Sequence, residues 1–257
     1  MSRRGSADSR VVKRRLSLFG SYYDSEAFLQ NLWLPPHMGR HHLRVEVRKL
    51  DGTRAFIRIK TSISNSVDVR NMATRLTPSG IFFTPVEWLD PVHLRLTREA
   101  VRDIILTSPL YFDIDVKTGE TIQAAKTAAV ELIEAIRRLS DKEPDLLVFS
   151  GRNGFHVYYW NWDEIPSQFA NPVQRISEFI QSRRRMLHYL NSKGVKVDET
   201  VTADPWRVLR LPGSLHWKTG LTACQVHDLD QFHPKCDAAP FPINIYKDVF
   251  GLDLDIL

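Results

Sequence analysis

The run Leu110-Tyr-Phe-Asp-Ile-Asp-Val116 constrains this chain more than any other stretch. Apolar and aromatic residues alternate in it with two carboxylates, the period of two expected of a β-strand. Successive side chains of an extended strand point to opposite faces, so Asp113 and Asp115 emerge on one face, roughly 6.5–7 Å apart. Two acids that close, between apolar neighbours, repel each other and lose part of their hydration, so something positive must offset them. A divalent ion suits the task, because Mg²⁺ takes oxygen ligands and is usually held by one or two carboxylates together with substrate phosphates. The alternative is a strand end whose acids face water, and the rest of the chain has to decide.

The chain has 257 residues, enough for one large domain or two small ones with a sizeable core. No apolar run approaches 18 residues, and the N-terminus is charged without an apolar h-region, so neither a membrane span nor a secretory signal is expected. Cys224 and Cys236 are the two cysteines, too few for a disulfide scaffold and in keeping with a reducing cytoplasm. The net charge of +5 is compatible with a polyanionic partner. Part of it comes from Arg3, Arg4, Arg10, Lys13, Arg14 and Arg15, and residues 1–15 read as a flexible basic arm.

Beyond the arm, a short helix is expected from Asp24, as cap, to Leu32. Asp51-Gly52 between alternating runs (42–49 and 53–61) signals a β-hairpin whose basic face, Arg44, Arg48, Arg54 and Arg58, reads as a solvated edge or a phosphate contact. Ile81–Thr84 looks like a strand, Trp88 like core, and Thr97–Leu106 like a short helix. Apolar residues at helical spacing then mark a helix over 121–139, and Asp145–Ser150 a buried strand. Strand, helix and strand suggest a βαβ unit, followed by a turn at Gly151–Gly154 and a return strand from Phe155 to Trp160. A second helix spans Pro172–Leu190, with Asn171 as cap and a buried stripe that includes Val173. Arg183-Arg-Arg185 suits its C-terminal dipole, and Gly194 its stop.

Two further clusters carry chemistry. In Ser150-Gly-Arg-Asn-Gly154-Phe-His156, two glycines let backbone approach a phosphate, while Ser150 offers a hydroxyl and Arg152 a forked cation. His156 can point back to the same side. In Arg207-Val-Leu-Arg210-Leu-Pro-Gly-Ser-Leu-His216-Trp-Lys218-Thr-Gly220, Arg210, Ser214, His216 and Lys218 surround another proline–glycine turn. Upstream, Asp198 ends a short extended run, and Asp204, before Pro205, is its rival as a third acid.

Taken in order, 111–115, 150–156 and 208–220 resemble the three motifs of the archaeo-eukaryotic primase superfamily, and most of all the catalytic small subunit of DNA primase. The resemblance is strong over residues 108–242 and vague over 16–107. It implies an α/β fold with a mixed sheet: a single catalytic domain over 16–257, with a β-rich N-terminal module (16–107) and a motif-bearing core. It implies Asp113 and Asp115 as metal ligands. The family's third acid lies eighteen residues before the last-motif histidine, which selects Asp198 over Asp204. It implies nucleotide binding by Ser150, Arg152, His156, Arg210 and His216, joined by Ser214 and Lys218. The implied cofactors are two Mg²⁺ or Mn²⁺ ions, and the implied partners a single-stranded DNA template, nucleoside triphosphates and a large subunit. A cytoplasmic, nucleoid-associated place would follow, or a nuclear one in a eukaryote.

The chain departs from the family in having no cysteine or histidine over 116–149, where many members bind zinc. Cys224, His227, His233 and Cys236 have the ligand types for zinc, but the intervening Asp228–Phe232 reads as strand and loop with no glycine to form a knuckle, so structural zinc is not expected. The function read from the sequence is template-directed nucleotidyl transfer, as a replicative primase or as a primase-like polymerase for repair or mobile elements. An aspartyl-phosphate hydrolase would need a threonine two residues after Asp115, where Lys117 stands. A non-catalytic nucleic-acid-binding subunit is the reading from another class, and the complete acid set counts against it.

Overall fold

The Asp-Gly hairpin and the acid-bearing strand belong to two different sheets. The computed structural model describes residues 9–95, 103–107, 109–115, 121–162, 171–195 and 197–254. Helices α1 (Ser9–Asp24) and α2 (Glu26–Asn31) precede the hairpin of β1 (Leu43–Arg48) and β2 (Arg54–Arg58). Then come α3 (Ser66–Leu76), β3 (Gly80–Phe83), β4 (Glu87–Trp88) and β5 (Ile105–Thr107). The acids lie on β6 (Leu110–Asp115), followed by α4 (Ile122–Ser140), β7 (Leu146–Phe149), β8 (Gly154–Tyr159) and α5 (Pro172–Ser192). The last part holds α6 (Glu199–Thr202), β9 (Leu209–Arg210), β10 (Cys224–Gln225), α7 (Pro234–Asp237) and α8 (Ile243–Ile245), which runs into a π-helical turn over Tyr246–Phe250.

The first sheet has the order β2-β1-β3-β9 and the second β10-β7-β8-β6, while β4 and β5 pair with each other. The strand–helix–strand unit is present, with β6 and β7 running the same way. β8 lies between them and pairs antiparallel with both. Every ladder among the described residues is therefore antiparallel, and the mixed sheet given as part of the implied α/β fold is corrected on that point. The reason is the hairpin after β7: its short turn returns the chain into the gap between β6 and β7.

The third motif begins outside the sheet of the acids. Its strand β9 pairs with β3 in the first sheet. The chain then turns through Gly213, whose N–H donates to the Ala223 carbonyl at 2.7 Å, and a Leu215–Thr222 bridge leads it into β10 of the second sheet. One hairpin thus straddles both sheets. Between them, Tyr158 and Trp160 stack at 5.1 Å, Trp33 lies on Trp160 at 5.7 Å, and Phe83 on Tyr158 at 6.2 Å.

Several local expectations are revised. The cap of α2 is Ser25, whose hydroxyl accepts the Phe28 N–H, and not Asp24. Of the helix read over 97–106, residues 97–102 lie outside the described residues, and Ile105 and Leu106 are strand, paired with β4. The ends of β4–β5 pairing, not helical periodicity, decide a segment that short. Val173 sits at the exposed start of α5, 51% accessible. Arg183 is not a solvated C-terminal cation: it is fully buried, donates to the Pro109 carbonyl at 3.2 Å and lies over the Phe179 ring. It ties α5 to the entry of β6.

Residues 1–8 lie outside the described residues, but 9–15 are the first half of α1 and not a flexible arm. The residues are spaced for it: Val12, Phe19, Tyr22 and Tyr23 are buried along one stripe. Arg15 donates to the Val249 carbonyl at 2.9 Å and to the Trp217 carbonyl at 3.3 Å, and lies over the Phe250 ring at 4.9 Å. Hydrogen bonds from a charged donor contribute roughly 1.5–3 kcal/mol. Arg15→Ala should therefore lower Tm by about 3–12 °C in a chain of this size, measured by calorimetry. No change would restore the arm reading.

Candidate active site

The ladder between β6 and β8 sets the acids against their partners. Asp113 faces His156 and Asp115 faces Gly154. Glycine is required at 154, because a Cβ there would meet the Ile114 carbonyl and, at 2.5 Å, an Asp115 carboxylate oxygen. His156 Nε2 stands 3.6 Å from Asp113 Oδ1, too far for a hydrogen bond. Asp113 Oδ1 is buried with no hydrogen-bond partner among the described residues. Burial raises the Asp113 carboxyl to about 6, Asp198 adds to the rise and Arg207 opposes it. Asp115 is raised too, first by burial and then by Asp113, against the pull of His156 and Arg152.

Asp198 is not on a strand. Its N–H donates to the Asp113 carbonyl at 3.2 Å, which brings it beside the pair, and it stands at the start of α6. Burial would raise it, but its carboxylate accepts the Thr200 hydroxyl at 2.6 Å and the Thr200 N–H at 2.8 Å. These bonds hold it below the usual carboxylate range. Asp204 opens a turn by accepting the Trp206 N–H at 3.0 Å, as its place before proline suggested, yet it also lines the cleft.

The other two motifs bring cations to the cleft. Gly151, at φ 88°, turns the chain between β7 and β8, and its backbone passes close to His216. Thr219 joins the two motifs. Its hydroxyl donates to the Gly151 carbonyl at 2.6 Å and so accepts from the Leu221 N–H at 3.3 Å and from His216 Nδ1 at 3.2 Å. That assigns the His216 proton to Nδ1 and leaves Nε2 with its lone pair. Arg210 lies over the Phe82 ring at 4.6 Å and donates to the Leu215 carbonyl at 2.8 Å. Burial lowers it to about 10, so it stays a cation at neutral pH.

The histidines do not. Burial lowers His156 to about 4, and burial with the cations Arg210, Arg152, Lys218 and Arg48 holds His216 well below its ordinary value.

The cleft, about 410 Å³, brings together Asp113, Asp115, Ser150, Arg152, His156, Arg210 and His216. Lys218 is exposed outside it. Ser214 is fully buried, and its hydroxyl accepts the Ile81 N–H at 2.7 Å, which makes it a joint between β3 and the last motif. Reading from sequence gave Arg44 only as a solvated edge or a phosphate contact and missed Phe56, Phe82, Asn153 and Arg207; all five line the cleft. The alternation of the first hairpin was the available signal for Arg44 and Phe56, but nothing in it says that this face meets the acids.

The donor set suits a hard cation: clustered carboxylates, one with an orphaned buried oxygen. No three His, Cys, Asp or Glu side chains among the described residues converge on one point. Mg²⁺ needs only one or two carboxylates, the remainder of its shell coming from water and phosphate. Of the second set of ligand types, Cys224 is buried on β10 with its thiol pushed up to about 12, far from the thiolate that zinc takes, while His227, His233 and Cys236 are exposed.

The polymerase domain of Mycobacterium tuberculosis ligase D, solved in complex with DNA, shares this fold: TM-score 0.57 at 13% identity, over 92% of this chain and 87% of that one. No protein-family profile matches the chain. In class, its relatives make the protein a nucleotidyltransferase. A DNA primase small subunit of Archaeoglobus fulgidus is 51% identical to it, the match covering 70% of this chain and 71% of that one. That of Pyrobaculum arsenaticum is 27% identical, over 65% and 67%. The chain belongs to the family of DNA primase small subunits.

The raised Asp113 has a measurable consequence. Between about pH 4 and 6 the folded protein holds a proton that the unfolded chain has lost, so stability falls as pH rises through that window. Asp113→Asn should therefore raise Tm in EDTA at pH 7.5, by the equivalent of about 3 kcal/mol at most. The gain should vanish near pH 4. A loss of stability at pH 7.5 would show that the ionised acid is satisfied without metal.

Proposed function

We propose that the cleft performs template-directed nucleotidyl transfer on single-stranded DNA, making primers and extending them. One observation carries this reading in a chain of this family: Asp113, with a buried oxygen that has no hydrogen-bond partner among the described residues, lines a cleft that also holds Arg152 and Arg210. Asp113, Asp115 and Asp198 would hold two Mg²⁺ or Mn²⁺ ions. When bound, such ions lower the pKa of an attacking hydroxyl and neutralise charge on a leaving pyrophosphate.

The chain's own groups do the remaining work. Arg152 and Arg210 take the triphosphate oxygens as charge-assisted donors, with the Ser150 hydroxyl beside them. His156 and His216, neutral in the free protein, act as orienting groups and not as cations. Lys218 lies close enough to His216 to add to the cationic field at the rim. Arg207, exposed beside Asp113 and Asp198, moderates their repulsion. Catalysis of this kind is mostly positioning and charge stabilisation. A primase large subunit, and a cytoplasmic or nuclear place beside replicating DNA, go with the assignment. The buried Ser214 is best read as structural.

Primer synthesis and extension on a single-stranded template, with each nucleotide type and either metal, test the reading. Asp113→Asn, Asp115→Asn and Asp198→Asn should each abolish incorporation in folded protein. An active Asp198→Asn beside an inactive Asp204→Asn would transfer the third role to Asp204. Arg152→Ala should weaken nucleotide binding by about 10–150-fold, the equivalent of roughly 1.5–3 kcal/mol. Retained nucleotide affinity with loss of template would place Arg152 on the strand instead.

Thr219→Val removes the hydroxyl that joins the two motifs. It should cost roughly 1–3 kcal/mol of stability and raise the KM for nucleotide several-fold. An unchanged KM would separate the joint from the binding site.

A further inference from the structure

One row of side chains crosses the first sheet. Arg58 on β2 is directly opposite Arg44 on β1, Arg44 is opposite Phe82 on β3, and Phe82 is opposite Arg210 on β9. Neighbouring strands stand roughly 4.8 Å apart, and directly opposed residues share a face. The row therefore leads from Arg210, at the triphosphate wall, outward to the edge strand of the sheet.

Two arginines opposed across a ladder destabilise it unless a negative group lies between them. Among the described residues Asp90 and Asp103 line a hollow with Arg58, but Asp90 bonds His93, and Asp103 accepts from the Arg95 N–H and the Trp206 indole. Neither Arg44 nor Arg58 makes an ion pair or hydrogen bond there, and Arg44 Nε is buried without a partner. The acid on the same face, Glu46, is engaged by Arg48 and by the Ser79 hydroxyl at 3.0 Å. Arg44 is half-buried and lines the same cleft as Asp113 and Asp115. A guanidinium held that way, beside another, is arranged for an anion that the described residues do not bond to it.

We propose that Arg44 and Arg58 form a phosphate track for the single-stranded nucleic acid, continuing outward from the triphosphate subsite. The row is too long for one triphosphate at Arg210, because Arg58 lies three strand spacings away, roughly 14 Å. It reaches the sheet edge, where a strand passes on into solvent. The proposal rests on the reading of the cleft as a template-directed polymerase.

The test is anisotropy of a labelled dT20 oligonucleotide in EDTA without nucleotide, over a range of salt. For single strands log K falls with log salt by about 0.7 per phosphate neutralised. Arg44→Ala and Arg58→Ala should each flatten that slope by about 0.7 and weaken binding several-fold at low salt. The double variant should flatten it by about 1.4, and Arg44→Lys should keep the parent slope. Removing one of two opposed cations should leave Tm unchanged or higher, which guards against misfolding as the cause. Arg58→Ala should bind a labelled nucleoside triphosphate as the parent does. Unchanged slopes in both alanine variants, or a loss confined to nucleotide affinity, would overturn the track. Because the assay needs neither metal nor turnover, a chain that binds dT20 as expected but never incorporates nucleotide would refute the polymerase reading and not this one.

Discussion

The structure depends on holding Asp113 and Asp115 together on one face of β6, against both their mutual repulsion and their loss of water. Among the described residues no neighbouring cation settles that cost. His156, directly opposite Asp113, is kept neutral by its own burial. Arg207 opposes the rise but stands in solvent, where its field is screened. Arg210 belongs to the other sheet, and Arg152, on the β7–β8 turn, pulls on Asp115 without cancelling its rise. Charge in the cleft is thus separated between the acids of β6 and the arginines around them. A ligand complementary to both has to bring positive charge to the first and negative charge to the second. A metal–nucleoside triphosphate has that polarity, which is why the electrostatics favour this substrate class before any template is considered.

That separation is maintained because a single hairpin belongs to both sheets. β9 fixes Arg210 to the first sheet, and β10 fixes the same hairpin to the second. Between them Thr219 bonds the Gly151 turn, and Ser214 bonds the β3 backbone. The stacked Trp33, Trp160, Tyr158 and Phe83 fill the space behind. A shift of one sheet against the other would have to break these contacts together, so the distance between the two sheets is set by packing and not by any one side chain.

The parts legible in the sequence were those with a local cause. Alternation located β6, helical periodicity located α4 and α5, and Asp-Gly located the first hairpin, because each signal is complete within a dozen residues. What could not be read is where those elements meet. Nothing near Arg44 says that its strand face looks onto β6. Ser214 and Arg210 belong to one motif, yet strand geometry and the following turn send one into the core and the other to the cleft. Residues 9–15 looked like an arm because cations outnumber apolar residues there. The helix needs only Val12 in that span, since Phe19, Tyr22 and Tyr23 supply the rest of its buried stripe. Asp198 was selected by spacing from His216. In the structure its N–H bonds the Asp113 carbonyl.

The neutrality of the two cleft histidines follows from the same arrangement and limits what they do. His216 sits among four cations and is buried, so a proton on Nε2 is unfavourable in the free protein. Thr219 engages Nδ1 and thereby fixes the ring's orientation, not its charge. The positive potential comes from the arginines, whose charge does not depend on pH in the physiological range. Arg210 is braced on Phe82 and on the Leu215 carbonyl, so its guanidinium is placed before any anion arrives. The cationic side is therefore pre-organised and constant in charge, and the acid side, with Asp113 raised toward neutrality, is the one that changes when a cation enters.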